Sequence, residues 1–418
     1  MTWHTVDLSE LIANIESGGR PHGGASVDSG EIPSLGGENI RLSGGLELEK
    51  VKKVPVSFFE HMTKGLLQNE DVLINKDGAN TGKVGLYENQ YPRAAINEHV
   101  FLLRGFIDQL DQRYLYYLLL SQDNQGIIRS KISGSAQPGL KRDFIKNFPV
   151  SVPISCFEQS KIAEILTTLD SSISLTRELL IKKHRIRNGL VQDLLMYGLD
   201  ASGNIRHHST HRFKDTSIGL IPDDWKISTL SGITQRNAPI CYGIVQPREY
   251  FVGGVPVVAI KDMKGDYRSN IHLTNPEIDA KYTRSRLLPG DLLISVKGST
   301  GVIDIVPHSF SGNISRDIAR VRFNEMIVPS FYLFYFESFL GQKALDLITV
   351  GTTRKEISIA PLKELLVPVP SKTEQKKIAE ILIEQTNIIA SIQQDLSKLS
   401  RLRFGLMQDL LRHKVAVM

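Results

Sequence analysis

Two stretches of this chain write nearly the same helix start, SCFEQSKIAEIL at residues 155–166 and SKTEQKKIAEIL at residues 371–382. The offset is 216 residues, and with it residues 158–195 align on residues 374–411 without a gap, about half of the positions being identical. A long repeat whose copies are separated by an unlike segment restricts the chain to a doubled architecture, because each copy needs an equivalent environment. The identities include Lys161 to Leu166, Arg185, Arg187, Gly189 and residues 192–195 of the first copy.

Each copy opens on a capping-box pattern, Ser155 with Glu158 and Ser371 with Glu374. In that motif the serine accepts from a first-turn amide and the glutamate reaches back to the serine amide. Pro153 and Pro370 stand just upstream and mark the starts. A heptad seam follows. Its apolar members are Ile162, Leu166, Leu169, Ile173, Leu180, Leu190 and Leu194 in the first copy. In the second they are Ile378, Leu382, Ile389, Ile392, Leu396, Leu399, Leu406 and Leu410. Thr176, Lys183, Arg187, Gln385 and Arg403 interrupt the seams, as residues that fix register do. About 40 residues at a 1.5 Å rise make a rod of roughly 60 Å. A helical hairpin inside an ordinary core would explain the apolar rows but not the long insert. The seams therefore predict two helices packed on each other as a spacer.

The segments ahead of the rods match more faintly. GEIPSLGGENI (residues 30–40) resembles GGVPVVAIKDM (253–263), and DVLINKDGANTG (71–82) resembles DLLISVKGSTG (291–301) with one gap. INEHVFLLR (96–104) answers ISRDIARVR (314–322), and Trp3 aligns with Trp225. These read as short strands with glycine turns between them, joined by helices such as DQRYLYYLLLSQ and PSFYLFYFESFL. At 418 residues the chain exceeds one ordinary core. The predicted class is α+β, two globular α/β domains in pseudo-two-fold repeat separated by two long helices. The division expected is 1–153 for the first domain and 154–198 for its helix, then 199–221 as a polar connector. The second domain follows at 222–370 and the second helix at 371–414.

Chemistry is not signalled. DGANTGK (residues 77–83) lacks the glycine and the Ser/Thr that a phosphate loop needs, so a tight turn is expected. His207, His208 and His211 lie in the polar connector without a cysteine or acidic partner nearby, which favours a solvated linker over a metal site. Neither a hydrolase elbow, a zinc-enzyme motif, a dinucleotide loop nor an amino-methyltransferase box is present. Cys156 and Cys241 are too few for a disulfide framework. No leader peptide is read, nor an apolar run near the roughly 20 residues of a membrane helix, so a cytoplasmic protein is expected.

A net charge of +5 is too mild to imply nucleic acid by itself, so any basic surface must be local. Basic and amide side chains do recur beside the glycine turns. The first domain offers Lys76, Asn80, Lys83, Arg93, Gln137, Lys141 and Arg142. The second offers Gln246, Arg248, Lys261, Lys264, Arg268, Lys297, Arg316, Arg354 and Lys355. Taken singly each suits a solvated surface; together they suit phosphates and base edges.

Two unlike domains, each closed by a proline-led E-Q-x-K-I-A-E-I-L helix and a G-L-x-Q-D-L-L tail, resemble the specificity subunit of type I restriction–modification systems. IGLIPDDWKISTLSGI (residues 218–233) is similar to that family's second-domain opening. The resemblance implies two target recognition domains, each reading half of a split double-stranded DNA site, and an antiparallel coiled coil of the two helices. It implies two methyltransferase subunits docked on this scaffold, with restriction/translocase subunits added later. S-adenosylmethionine and ATP with Mg would then sit on those partners, with no cofactor in this chain and no catalytic or metal-binding residue. Three rivals stay open: the specificity subunit of a type IIB-like system, a self-contained DNA-modifying enzyme, and a coiled-coil scaffold without a DNA role.

Overall fold

The computed structural model describes residues 2–26, 30–134, 138–352 and 354–415. The chain divides into two compact units, one made of Met1–Glu178 with Gln394–Met418, the other of Leu179–Gln393.

In the first unit a four-stranded antiparallel sheet has the order Ile12–Ser17, Val100–Gly105, Val72–Asn75, Val84–Leu86. Its inner strands are short apolar runs buried on both faces, and strand alternation sends neighbouring residues to opposite cores. Val72, Ile74, Phe101 and Leu103 pack with the helix Gln112–Leu120. Leu73, Val100 and Leu102 face the other way, toward Leu35 and Ile96 of a small three-stranded sheet and toward Ile40. A separate pair, Trp3–Asp7 against Pro149–Pro153, joins the unit's beginning to the strand that feeds the long helix.

The second unit repeats this order with Cys241–Tyr242, Ile318–Val321, Leu292–Ser295 and Ile303–Ile305. Leu292 and Ile294 enter one core and Leu293 the other. Lys226–Thr229 pairs with Leu366–Val369 as the counterpart of the first unit's terminal strand pair. Each unit carries an equivalent ion pair on a buried aspartate, Asp71 with the half-buried Arg104 at 2.6 Å and Asp291 with the half-buried Arg322 at 2.7 Å.

The two long helices are Cys156–Met196 and Lys372–Leu411. Within the first unit Ile162 and Leu166 share a core with Met407, Leu410 and Leu411, and Asp170 pairs with Arg403. Within the second, Leu194 and Leu195 share a core with Ile378 and Leu382, and Arg187 donates to Thr386 at 3.3 Å. Residues late in one helix meet residues early in the other, so the segments run antiparallel inside each unit. Every apolar seam residue named above is buried or half-buried, while the residues between them are mostly exposed. The seam arginines occupy equivalent positions in the repeat, and so do their partners Asp170 and Thr386.

Two local expectations need correction. Ser371 does cap the second helix, accepting from the Glu374 amide at 3.2 Å. The Glu374 carboxylate, however, takes the Leu199 amide at 2.8 Å, Arg206 at 2.6 Å and the Trp225 indole at 3.1 Å. A buried arginine outcompetes the box geometry, because an unpaired buried charge costs far more than an unmet terminal amide. For the same reason the connector is not simply solvated. Leu199, Arg206 and Ile221 are buried, and Phe213–Thr216 pairs with Gly219–Pro222. His208 packs against Tyr197 and Phe213.

The residue after each shared glutamate clamps helix to domain. Gln159 accepts from the Asp111 amide at 2.9 Å and donates to the Pro153 carbonyl at 2.9 Å. Gln375 accepts from the Val328 amide at 2.9 Å and donates to the Pro370 carbonyl at 2.9 Å. Both are fully buried.

Candidate nucleic-acid interface

The turn at residues 76–83 reverses the chain with Gly78 and Gly82 at φ 78° and 88°, a region only glycine occupies readily. Its outer bonds gather three loops: Gly78 donates to the Pro138 carbonyl at 3.0 Å, Leu140 to Lys76 at 2.6 Å, and Lys76 to His99 at 2.9 Å. A fourth loop crosses close by. A Cβ on Gly18 would stand 1.6 Å from the Ile96 carbonyl oxygen, so only glycine admits this approach.

Lys76 and Asn80 sit on this corner, and Lys141 and Arg142 follow it directly, exposed. The Lys76 ammonium lies 5.4 Å above the Phe101 ring, and Asn80 donates to the Gly37 carbonyl at 3.4 Å. Lys83 turns toward a hollow with Leu42, Gln125 and Arg129. Arg93 is separate, over the Phe59 ring at 4.8 Å and 3.6 Å from Glu60. Gln137 lies outside the described residues.

Arg20 and His99 join the corner, and the sequence reading missed both. His99 Nδ1 lies 2.7 Å from Asp77 and its Nε2 3.3 Å from Glu98, which Arg20 approaches at 3.5 Å. Burial works against ionisation of nearby Glu38, but Lys52, its own amide and His99 together hold its carboxyl below the ordinary value. Arg20 was findable: it precedes Pro21 as Gln246 precedes Pro247, each shortly after a glycine at the same crossing.

The second unit repeats the bonds with different side chains. Gly298 donates to Lys355 at 3.2 Å, Ile357 to Val296 at 2.8 Å, Val296 to Asp317 at 2.8 Å and Arg316 to Ile244 at 2.9 Å. Gly243 repeats the close approach, with a would-be Cβ 1.8 Å from the Ile314 carbonyl oxygen. Lys297, Arg316, Arg354, Lys355 and Gln246 are thereby brought together. Lys297 pairs with Glu356 at 2.9 Å and Arg316 with Asp317 at 3.6 Å. Charges reverse between the units at two places, Asp77 and Glu98 standing where Lys297 and Arg316 stand, and His99 takes the place of Asp317.

The remaining candidates lie elsewhere. Lys264 donates to Glu337 at 2.8 Å, which also lies 4.0 Å from Arg187 of the long helix. Lys261 and Arg268 line a separate cleft, and Arg248 is exposed with φ 59°. Among the described residues no group of three or more His, Cys, Asp or Glu side chains is arranged to hold a metal ion.

A family model described as the type I restriction modification DNA specificity domain matches residues 1–182 and again 222–401. The specificity subunit of the type I restriction enzyme EcoBI from Escherichia coli is 27% identical over 318 residues. That match takes in 74% of this chain but spans only 65% of the relative's length. A putative type I restriction enzyme specificity subunit, MjaX of Methanocaldococcus jannaschii, is 26% identical over 80% of this chain and 76% of its own. In fold, the chain is similar to the crystal structure of a type I restriction–modification S subunit from M. genitalium. That likeness has a TM-score of 0.60 at 17% identity, covering 98% of this chain and 96% of the other.

Proposed function

This chain belongs to the type I restriction modification DNA specificity family, and from that membership we propose that it reads DNA sequence for a type I restriction–modification complex. Each globular domain reads one half of an asymmetric, bipartite site. The observation carrying this is the recurrence of one loop corner in both units with charges reversed at two equivalent positions and a histidine facing an aspartate at a third. A shared backbone frame supports the same approach to duplex DNA, and unlike side chains on it support unlike half-sites. Arginine and lysine suit phosphates and guanine edges, asparagine and glutamine suit adenine edges, and acidic groups suit the cytosine amino group.

The chain is a recognition subunit rather than an enzyme. Two methyltransferase subunits supply methyl transfer and carry S-adenosylmethionine; restriction/translocase subunits supply cleavage and carry ATP with Mg. No helix among the described residues is long and apolar enough to cross a membrane, and the reading carries a cytoplasmic location with it. The continuity of both long helices supports a ruler role, in which their residue count sets the unread gap between half-sites.

The test is a map of methylated bases after co-expression with methyltransferase partners. Two unlike half-sites with a fixed gap are expected. One added heptad at Thr176 and at Ile392, equivalent positions of the repeat, lengthens each helix by about 10 Å. The gap then grows by roughly three base pairs, with both half-sites unchanged. Identical half-sites would refute the asymmetric reading, and an unchanged gap would refute the ruler.

A further inference from the structure

Beside the strands Val255–Val258 and His272–Thr274 of the second unit opens a cleft of about 550 Å³, lined by Tyr250, Lys261, Arg268, His272 and Phe310 among others. Four features set it apart from plain surface. Lys261 and Arg268 are exposed and make no ion pair among the described residues. At the matching edge of the first unit the cations are neutralised, Arg41 by Glu47 at 2.9 Å and Lys52 by Glu38 at 2.9 Å. The acid nearest in sequence to Arg268 is Asp266, and its carboxylate is already occupied. It accepts the Arg268 and Ser269 amides at 2.9 and 3.0 Å and the Ser269 hydroxyl at 2.7 Å.

The second feature is His272 Nε2, which is buried and has no hydrogen-bond partner among the described residues. Unmet buried nitrogens are rare and call for a partner. The third is backbone strain: Lys264, Tyr267 and Asn270 all take positive φ, at 61°, 55° and 59°. The corresponding turn of the first unit uses Gly44 and Gly45. Left-handed non-glycine residues persist where the surroundings over-determine them, often at ligand sites. The fourth is the Tyr250 ring, 60% exposed and edge-on to His272 at 6.1 Å between ring centres.

We propose that this cleft anchors one backbone phosphate of duplex DNA, gripped by Lys261 and Arg268 with His272 Nε2 as a further donor and the Tyr250 ring against the adjoining sugar or base. This deepens the DNA-reading role above and rests on it. Two unpaired cations at one concave place suit a doubly contacted anion, and a stacked ring suits a nucleotide rather than a bare ion. Such a contact fixes register and orientation on the duplex without carrying sequence.

The experiment uses the full chain assembled with its methyltransferase partners and measures duplex binding by fluorescence anisotropy from 50 to 200 mM salt, on the order of the range where phosphate contacts dominate. The Lys261→Gln, Arg268→Gln double variant is expected to flatten the slope of log affinity against log salt by about 0.9, the share of one phosphate. Tyr250→Ala is expected to weaken binding by about tenfold. Both leave the methylated sequence and the melting temperature as in the wild type. Unchanged affinity and slope in both variants overturn the inference while DNA reading stands. A wild-type complex with no preference for its methylated sequence over a scrambled duplex refutes the reading itself. Phosphate or a mononucleotide filling the cleft, with duplex affinity indifferent to both variants, would assign it to a small ligand and overturn the DNA anchor.

Discussion

The sharpest energetic prediction concerns the two seam arginines. Arg403 meets Asp170 through two of its nitrogens, one of them at 3.2 Å, and Tyr117 donates to the same carboxylate at 2.9 Å. Arg187, its counterpart, meets the Thr386 hydroxyl at 3.3 Å on the facing helix and lies 4.0 Å from Glu337 of its own domain. The Arg403 and Asp170 side chains are 17% and 32% exposed, so solvent screens them less than a surface pair worth about 0–1 kcal/mol. Hydrogen bonds to charged groups contribute about 1.5–3 kcal/mol, and Tyr117 keeps Thr167 at 3.3 Å when Asp170 is removed. A double-mutant cycle of Asp170→Ala and Arg403→Ala should therefore give a coupling of about 2 kcal/mol. Asp170→Ala alone should lower the melting temperature of that unit by about 4–8 °C. The Thr386→Ala, Arg187→Ala cycle should give roughly 0.5 kcal/mol. The chain has one tryptophan in each unit, Trp3 and Trp225, so fluorescence of a Trp225→Phe background follows the first unit alone. Equal couplings in the two cycles would refute the argument that the carboxylate, not the helix register, makes the difference.

Gly18→Ala and Gly243→Ala should each cost about 1–3 kcal/mol, because a carbonyl oxygen occupies the place of the new methyl. Gly126→Ala, in the helix Gln122–Ser130 with open space around it, should instead stabilise by up to about 1 kcal/mol. Denaturation midpoints check all three, and equal signs would contradict the close approach. Asp7 gives the pH dependence: burial alone would raise its carboxyl, but the Ser9 hydroxyl and the Phe148 and Ser9 amides hold it below the ordinary 3.8. Its stabilisation is thus complete above 3.8 and fades as pH falls through the lower folded value. An Asp7→Asn variant should be less stable than wild type at neutral pH and converge on it in strong acid. A constant difference across that range would show the charge to be irrelevant.

Much of the doubled fold was legible because its signals are local and periodic. The glycine turn at 76–83 and its partner at 296–301 were readable from glycine spacing, and the strands around them from short apolar runs. The surface contacts were less legible. Lys264 and Arg93 look like any other loop cation in the sequence, yet Glu337 and Glu60 claim them from other elements. Arg20 and His99 were passed over because their neighbours Glu98 and Asp77 are distant in sequence or opposite in charge. Glu374 fitted a capping box by spacing, and only the arrival of Arg206 took its carboxylate elsewhere.

The sequence by itself determined that there are two copies, where each long helix begins, and which of its faces is apolar, since heptad spacing and a proline-led start depend only on nearby residues. The tertiary structure alone decided that Arg403 meets a carboxylate where Arg187 meets a hydroxyl, which cations share a corner, and which nitrogen is left unmet in a cleft. Those outcomes depend on side chains brought together across long stretches of chain, where Coulomb attraction and desolvation choose partners that no local spacing encodes.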